Sequence, residues 1–313
     1  MKLFLVSILI FSCLPLFAAD TAPSVTVVTI PYMEVEASHR HYADALLAKA
    51  LELSEKKYGP YKIVMQEQQS VIRRQLVELE KGTSISVAVS MPTPEWLDKA
   101  LPVRFPLMRG ISSYRLFLGH KDNQALFSTI KSLDDLKKLS IGQGPGWSTG
   151  KILEDNGFNV VYGGPYSTLI PMLGAHRFQL LMRGIFEVEP ELKAYKKTMP
   201  ALTIVKNFGV YTYLPMYFFV AKNQPLLAER IEYGLKKAHA NGQLDKLFNH
   251  YFGDELKLLK NKNLIFFYIP NTNIDNSFFE QDKPYLLNSI IRLEDRMQKP
   301  VNNLNKPLPN SNL

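Results

Sequence analysis

Cysteine is almost missing from this chain: one residue, Cys13, occurs in 313. No intramolecular disulfide and no cysteine-rich metal site can be built from it. Long apolar runs are equally scarce. Residues 3–17 form the one extended example, shorter than the ~20 residues a membrane-spanning helix needs. Basic blocks are missing too. The net charge is +8, yet no run of five Lys/Arg occurs and no nucleic-acid module is legible, so nucleic acid is not the expected partner. The charge fits a basic protein with solvated lysines, and it also attracts anionic ligands. No H-E-x-x-H spacing appears among the six histidines. His39 and His41 are two apart and point to different faces of one helix, so no metal site is expected.

The chain is 46% hydrophobic and 21% charged, a globular balance. Its length suits two domains or one two-lobed unit. Lys2, the apolar Leu3–Phe17 with Pro15 near its end, and Ala18-Ala19 before Asp20 read as a secretory signal peptide over residues 1–19. The cut is imperfect, because Leu16 or Phe17 stands three residues before it. Cys13 lies in this segment, and Ile10-Phe11-Ser12-Cys13 is a poor lipoprotein box. A mature chain without thiols suits an oxidising exterior compartment such as the periplasm and excludes thiol catalysis.

Strand-like and helix-like segments then alternate. Ser24–Ile30 is β-branched and reads as a strand. A helix follows from about Ser38 with Ala43, Leu46, Leu47, Ala50 and Leu53 at helical spacing, stopped by Gly59-Pro60. Tyr61–Gln66, a helix through Ile72, Leu76 and Leu79, and Ile85–Ser90 complete a βαβαβ order, which implies a parallel sheet with helices on its faces. A proline-rich loop precedes the strand Tyr114–His120. Ser132 with Asp135 starts a helix as a capping box. Gly144–Gly150 (GPGWSTG) turns into a further helix, and strands are expected at Phe158–Tyr162, Phe178–Met182, Ala201–Val205 and Met216–Ala221. Two helices carry Ile231, Leu235 and Ala238, then Leu244, Leu247, Phe248 and Tyr251. Residues 254–313 differ in kind: a basic stretch, the apolar Leu264–Ile269, a helix over Tyr285–Leu293, and an Asn/Pro-rich end expected to be a disordered tail.

The segments "SLDDLKKLSIGQGPGWSTGKILEDNGF", "YSTLIPMLGAHRFQLL" and "YFFVAKNQPLLAERIEYGLKKAHANGQLDKLFNHYFG" together resemble the family 3 extracellular solute-binding proteins, the periplasmic receptors of amino-acid-type ABC importers. The resemblance spans roughly residues 24–253. It implies an α/β, two-lobed periplasmic-binding-protein-like (type II) fold with two crossover strands. Lobe 1 is expected at 24–113 plus 221–253, lobe 2 at 114–220, and a C-terminal extension at 254–313. It implies a secreted, monomeric protein that captures a small molecule between its lobes by hinge closure and hands it to an ABC permease, with no enzyme activity and no cofactor.

Where this sequence departs from the family, it bears on the ligand. Thr93-Pro94-Glu95-Trp96 puts Trp96 where amino-acid receptors carry a carboxylate-binding Arg. In the strand Ala175–Arg183, Gln179 and Arg183 replace the acidic residues that receive an α-amine. A small polar or anionic ligand is therefore expected rather than an ordinary α-amino acid. Arg183 needs a partner: an internal salt bridge to Glu187 or Glu189, or an anionic ligand. The Gly144–Gly150 turn exposes a helix N-terminus with Trp147, Ser148 and Thr149 beside it. It fits neither a P-loop, since five residues separate Gly144 from Gly150, nor a dinucleotide fingerprint, since Thr149 replaces the third glycine. The candidate ligand-binding set is Tyr32, Glu34, Ser90, Thr93, Trp96, Trp147, Ser148, Thr149 and Arg183. Arg115 reads as a brace of the hinge. Two alternatives remain in view: a sensory or partner-binding module of the same fold without transport, and a dehydratase-like enzyme using Glu34 or Glu187 as acid or base.

Overall fold

The computed structural model describes residues 24–32, 38–259 and 263–297. The expected signal peptide with Cys13, Glu34, and the Asn/Pro-rich end beyond residue 297 lie outside the described residues.

The described residues form twelve strands: β1 (Thr26–Tyr32), β2 (Tyr61–Gln69), β3 (Val87–Ser90), β4 (Ala100–Val103), β5 (Tyr114–His120), β6 (Ser140–Gln143), β7 (Asn159–Tyr162), β8 (Leu180–Gly184), β9 (Leu202–Ile204), β10 (Phe208–Tyr211), β11 (Tyr217–Ala221) and β12 (Ile265–Tyr268). The first lobe carries the parallel pair β1–β2 and the antiparallel set β3–β11–β4. A polar seam joins them. The Ser86 N–H donates to the Thr29 carbonyl at 2.8 Å, and the Thr29 N–H donates to Ser86 Oγ at 3.2 Å. A hydroxyl thus stands in for a strand carbonyl, so the edge of β1 stays satisfied.

The second lobe holds a sheet in the order β12-β10-β5-β8-β6-β7, with β9 also on β5. β6, β7 and β8 run parallel, and β5 runs against β8. The expected lobe boundary at 220/221 falls inside β11, which pairs along its length with β3 and β4 of the first lobe. The apolar run Met216–Ala221 reads as a buried strand from sequence, but only long-range pairing says which sheet takes it.

Helices cover both sheets. Ser38–Tyr58 buries Tyr42, Leu46, Leu47, Ala50 and Leu51, and its last turn carries Lys56 and Lys57, the sign that suits the negative end of a helix dipole. It packs on Pro225–Ala240, which buries Ile231, Leu235 and Ala238. These faces were legible as i, i+3, i+4 spacing.

Two crossovers join the lobes, at 104–113 and 212–216, and they are stitched to each other. Leu107 N–H donates to Met216 O at 2.9 Å, Thr212 N–H to Ser113 O at 3.1 Å, and Leu214 N–H to Ser113 Oγ at 3.1 Å. The Tyr42 hydroxyl donates to Leu107 O at 2.9 Å, tying the seam to the first lobe.

The extension is built into this seam. β12 adds to the second sheet alongside β10, in register Phe208↔Ile265 to Tyr211↔Tyr268. The chain then crosses the hinge. Asn271 Nδ2 donates to Tyr213 O at 2.8 Å, and the Tyr213 and Tyr217 hydroxyls both donate to Asp282, a fully buried carboxylate. Beyond it, Tyr285 stacks on Phe105 with ring centroids 4.4 Å apart, and Leu287 N–H donates to Arg109 O. Gly110 has φ +91, and a Cβ there would lie 2.8 Å from Ile290 of the helix Asn288–Met297. That position requires glycine both for its backbone and for this approach. Residues 263–297 are thus a third connection between the lobes. Among the described residues, no helix is long and apolar enough to cross a membrane.

Candidate ligand-binding cleft

The C-terminal ends of β3, β6 and β8 meet the start of the helix Ser38–Tyr58 across the interface of the lobes. A cavity of about 380 Å³ lies there, within the range of small-molecule sites. The lobes touch around it. His39 stacks on Phe186 with centroids 5.2 Å apart, and Ser148 Oγ donates to Met91 Sδ at 3.2 Å.

Seven of the nine candidate residues line this cavity: Ser90, Thr93, Trp96, Trp147, Ser148, Thr149 and Arg183. Thr93 caps the helix Pro94–Lys99, its Oγ1 accepting from Trp96 N–H at 3.3 Å, and this holds Trp96 against Phe219. Tyr32 is not brought in. Alternation from the buried Val28 and Ile30 would turn Tyr32 inward, but the register shifts between Ile30 and Tyr32, which leaves Pro31 buried and Tyr32 facing solvent, 39% exposed. Glu34 lies outside the described residues. Thr149 is buried and spends its proton inside the lobe, donating to Gln143 Oε1 at 2.6 Å. Gln179 sits at the far end of its strand and accepts from Ser140 N–H at 2.7 Å.

Arg183 ends up between these readings. Its Nε donates to Glu191 Oε1 at 2.8 Å, and its Nη2 donates to Glu187 and Glu191, each at 2.6 Å. Glu191, not Glu189, is the second acceptor. Trp147 and Tyr166 flank the guanidinium, their ring centroids 4.7 and 5.2 Å from Cζ. Trp147 folds back over Gly144, where a Cβ would lie 2.5 Å from the indole. The clamp is therefore internal: Arg183 is held by two carboxylates and two aromatic faces. Burial alone would raise the Glu187 carboxyl, but the Arg183 and Arg115 charges and the Gly184 N–H hold it well below the usual range. Burial and the neighbouring Glu187 charge push Glu191 up, against the pull of Arg183. Burial lowers His39 to about 4, so it is a neutral imidazole at pH 7.

Arg115 differs. It starts on β5, is 3% exposed, and lines the cavity. Its Nη2 reaches Glu187 Oε2 at a long 3.5 Å. Among the described residues, no acceptor is in hydrogen-bond range of Nε or Nη1. Burial lowers its pKa to about 10, which leaves it charged at neutral pH. A buried guanidinium with two idle donor nitrogens is costly unless something completes it. The sequence reading as a hinge brace missed this. The one signal available was an arginine two residues past Ser113 at the mouth of a crossover.

The turn also spells G-x-S-x-G over Gly146–Gly150, a spacing shared with hydrolase nucleophile turns. Here Ser148 opens an ordinary helix, Ser148–Asp155. The described non-glycine residues with positive φ are Arg109 and His176, so Ser148 is not on a strained elbow. Its hydroxyl donates to Met91 Sδ rather than to a histidine.

No family model matches the chain, and no curated protein matches it. Solved structures do. An arginine third transport system periplasmic binding protein from Legionella pneumophila superimposes at TM-score 0.55 and 14% identity, covering 73% of this chain and all of that one. A structure from the work on glutathione import by GshT and the cystine ABC importer TcyBC of Streptococcus mutans gives 0.53 and 18%, covering 74% and 96%. An ancestral arginine-binding protein bound to arginine gives 0.51 and 22%, covering 72% and 98%. The likeness establishes the expected fold: two α/β lobes of the periplasmic-binding-protein kind. About a quarter of this chain lies outside each match.

Proposed function

We propose that this chain is a secreted solute-binding protein that closes its two lobes on a small ligand carrying an anionic group, and delivers it to an ABC importer. One observation carries the reading: a cavity between the lobes lined by a buried, charged Arg115, two of whose nitrogens, Nε and Nη1, have no hydrogen-bond partner among the described residues. A carboxylate or phosphate offers the paired oxygens that a guanidinium fork fits. The walls add apolar and aromatic surface from Trp96, Trp147 and Phe186. Capture rather than chemistry is supported by the way Arg183, Glu187 and Glu191 spend their hydrogen bonds on one another. A solved structure of similar fold, an ancestral arginine-binding protein bound to arginine, supports capture of a small molecule. The expected location is the periplasm, and the expected working form is a monomer.

The third connection favours a second reading, a sensory or partner-binding module without transport, because it restrains the lobe motion that an importer reads. A thermal-shift panel of amino acids, small di-acids, phosphate esters, sugars and peptides tests capture. A true ligand at 100 times its Kd stabilises by about 2.7 kcal/mol. The expected result is an anionic hit that vanishes in Arg115→Met. A silent panel overturns nutrient capture and leaves the second reading.

A further inference from the structure

We propose that His120, Asp122 and His176 bind a divalent transition-metal ion, with zinc(II) the best fit, at the end of the second lobe away from the hinge. β5 leaves the hinge at Tyr114 and ends at His120, a span of roughly 20 Å at strand rise. Asp122 follows in the one-turn helix Lys121–Asn123. His176 comes from the turn between the helix Tyr166–Gly174 and β8. The two histidines are 56 residues apart (176 − 120), which is why no spacing motif exposes them.

One ligand atom from each of the three side chains lies within 4.8 Å of the others. His120 Nδ1 is 3.3 Å from Asp122 Oδ2, and the two imidazole centroids are 4.4 Å apart. A tetrahedral zinc with bonds of about 2.0–2.1 Å has ligand-to-ligand edges of roughly 3.3 Å. The His120–Asp122 edge already matches that length, although His120 Nδ1 also accepts from the Asp122 N–H at 3.3 Å, a contact that a metal would replace. His176 is exposed, so it is free to turn inward. Two imidazoles and one carboxylate suit zinc, nickel or copper rather than magnesium or calcium. Three protein ligands leave a position for water.

The backbone supplies an independent observation. His176 has φ +54. Its N–H donates to Leu173 O, and the Arg177 N–H donates to Met172 O. This is the left-handed closing position of a helix, where glycine is the usual residue. Histidine holds that position here, with its ring centroid 4.4 Å from that of His120. Lys121, next to His120 in the chain, spends its Nζ on Pro200 O at 2.7 Å. The β9 pairing at Leu202↔His120 fixes the end of β5. A metal would pin the end of β5 to the turn that feeds β8, its partner strand.

The test is calorimetric titration of untagged, EDTA-treated full-length protein with zinc(II) chloride, with cobalt(II) absorption as a second readout. One equivalent should bind, a visible cobalt band should appear, and magnesium should give no heat. His120→Ala and His176→Gly should each weaken binding at least tenfold. His176→Gly suits the left-handed position, so its metal-free melting temperature should equal or exceed that of the parent, which separates ligand loss from misfolding. Absence of stoichiometric binding overturns the site. So does binding that is unchanged in both variants, which would place the metal elsewhere, or equal binding of magnesium.

Discussion

Two regions of this protein bury charge where the lobes meet, and they handle it in opposite ways. In the cleft, Arg115 and Arg183 face Glu187 and Glu191. The carboxylates go mainly to Arg183, and Arg115 keeps two donors idle. At the hinge seam, the shared group is one carboxylate, Asp282, with two tyrosine hydroxyls donating into it and Arg104 nearby. The seam carboxylate is met from within the chain through one oxygen, while Asp282 Oδ1 and Arg104 Nε and Nη2, like Arg115 Nε and Nη1 in the cleft, have no hydrogen-bond partner among the described residues. Buried polar groups are completed somewhere. Of the two arginines left incomplete, Arg115 lines the cavity between the lobes and Arg104 does not, so the cleft is where a ligand is expected.

The largest effect expected concerns the seam. Truncation after Gly253 would remove β12 and the buried Phe266, Phe267, Phe278 and Phe279. Loss of one buried Phe costs about 3–5 kcal/mol, so the four together exceed the stability of an ordinary domain. The truncated chain should fail to unfold cooperatively in urea. A soluble, cooperative truncation would reduce the third connection to an appendage and break the contrast.

Next comes Arg183→Met, which strips Glu191 of its charged partner. Removing one side of a buried pair costs about 3–5 kcal/mol, readable by urea unfolding without ligand. No loss there would mean the clamp is not structural. Arg115→Met should act the other way. It should leave the ligand-free protein as stable or more stable, while weakening the anionic ligand by about 100-fold, or 2.7 kcal/mol. Equal loss of stability in both variants would erase the distinction between the two arginines.

The seam should also respond to pH. Burial raises Asp282 to about 6 and Glu294 to about 7, against Tyr213 and Tyr217 for the first and Tyr211 for the second. Unfolded carboxyls titrate near ~4. Between those values the folded state holds more protons than the unfolded one, so stability is greatest at low pH within the window and falls as pH rises from about 4 to 7. At most the Asp282 share is on the order of 3 kcal/mol. Asp282→Asn keeps an acceptor for the tyrosines and should flatten that part of the slope in melting curves at pH 5 and pH 8. A wild-type slope of opposite sign would contradict it. The smallest effect is Trp147→Ala. It removes a cation–π contact worth about 0.5–2 kcal/mol, and should lower ligand affinity by no more than tenfold or so in calorimetry.

Much of the fold was legible. The buried faces of Ser38–Tyr58 and Pro225–Ala240 repeat at helical spacing, and the capping box at Ser132 and Asp135 formed as read. Short edge strands were not legible: β4 contains Pro102, and β12 read only as an apolar run. Of the site, Trp96, Trp147 and Arg183 were found because the family-like order of segments put them at strand and turn ends facing the cleft. Tyr32 does not line the cavity because β1 shifts register between Ile30 and Tyr32, a break in alternation that no sequence pattern announced.

What the sequence determined by itself is local: periodicity, caps, turns and the order of elements that selects two α/β lobes. What only the tertiary structure decided is who partners whom. Arg115 and Arg183 are chemically identical; Glu187, four residues from Arg183, was a legible acceptor, but that Glu191 joins it and that Arg115 is left with a single long contact was not. That depends on Glu187 and Glu191 reaching one strand end and not the other. The joining of His120 to His176, and of Asp282 to Tyr213 and Tyr217, is equally nonlocal. Hydrogen bonds and charges act over a few ångströms of space, whatever the separation along the chain.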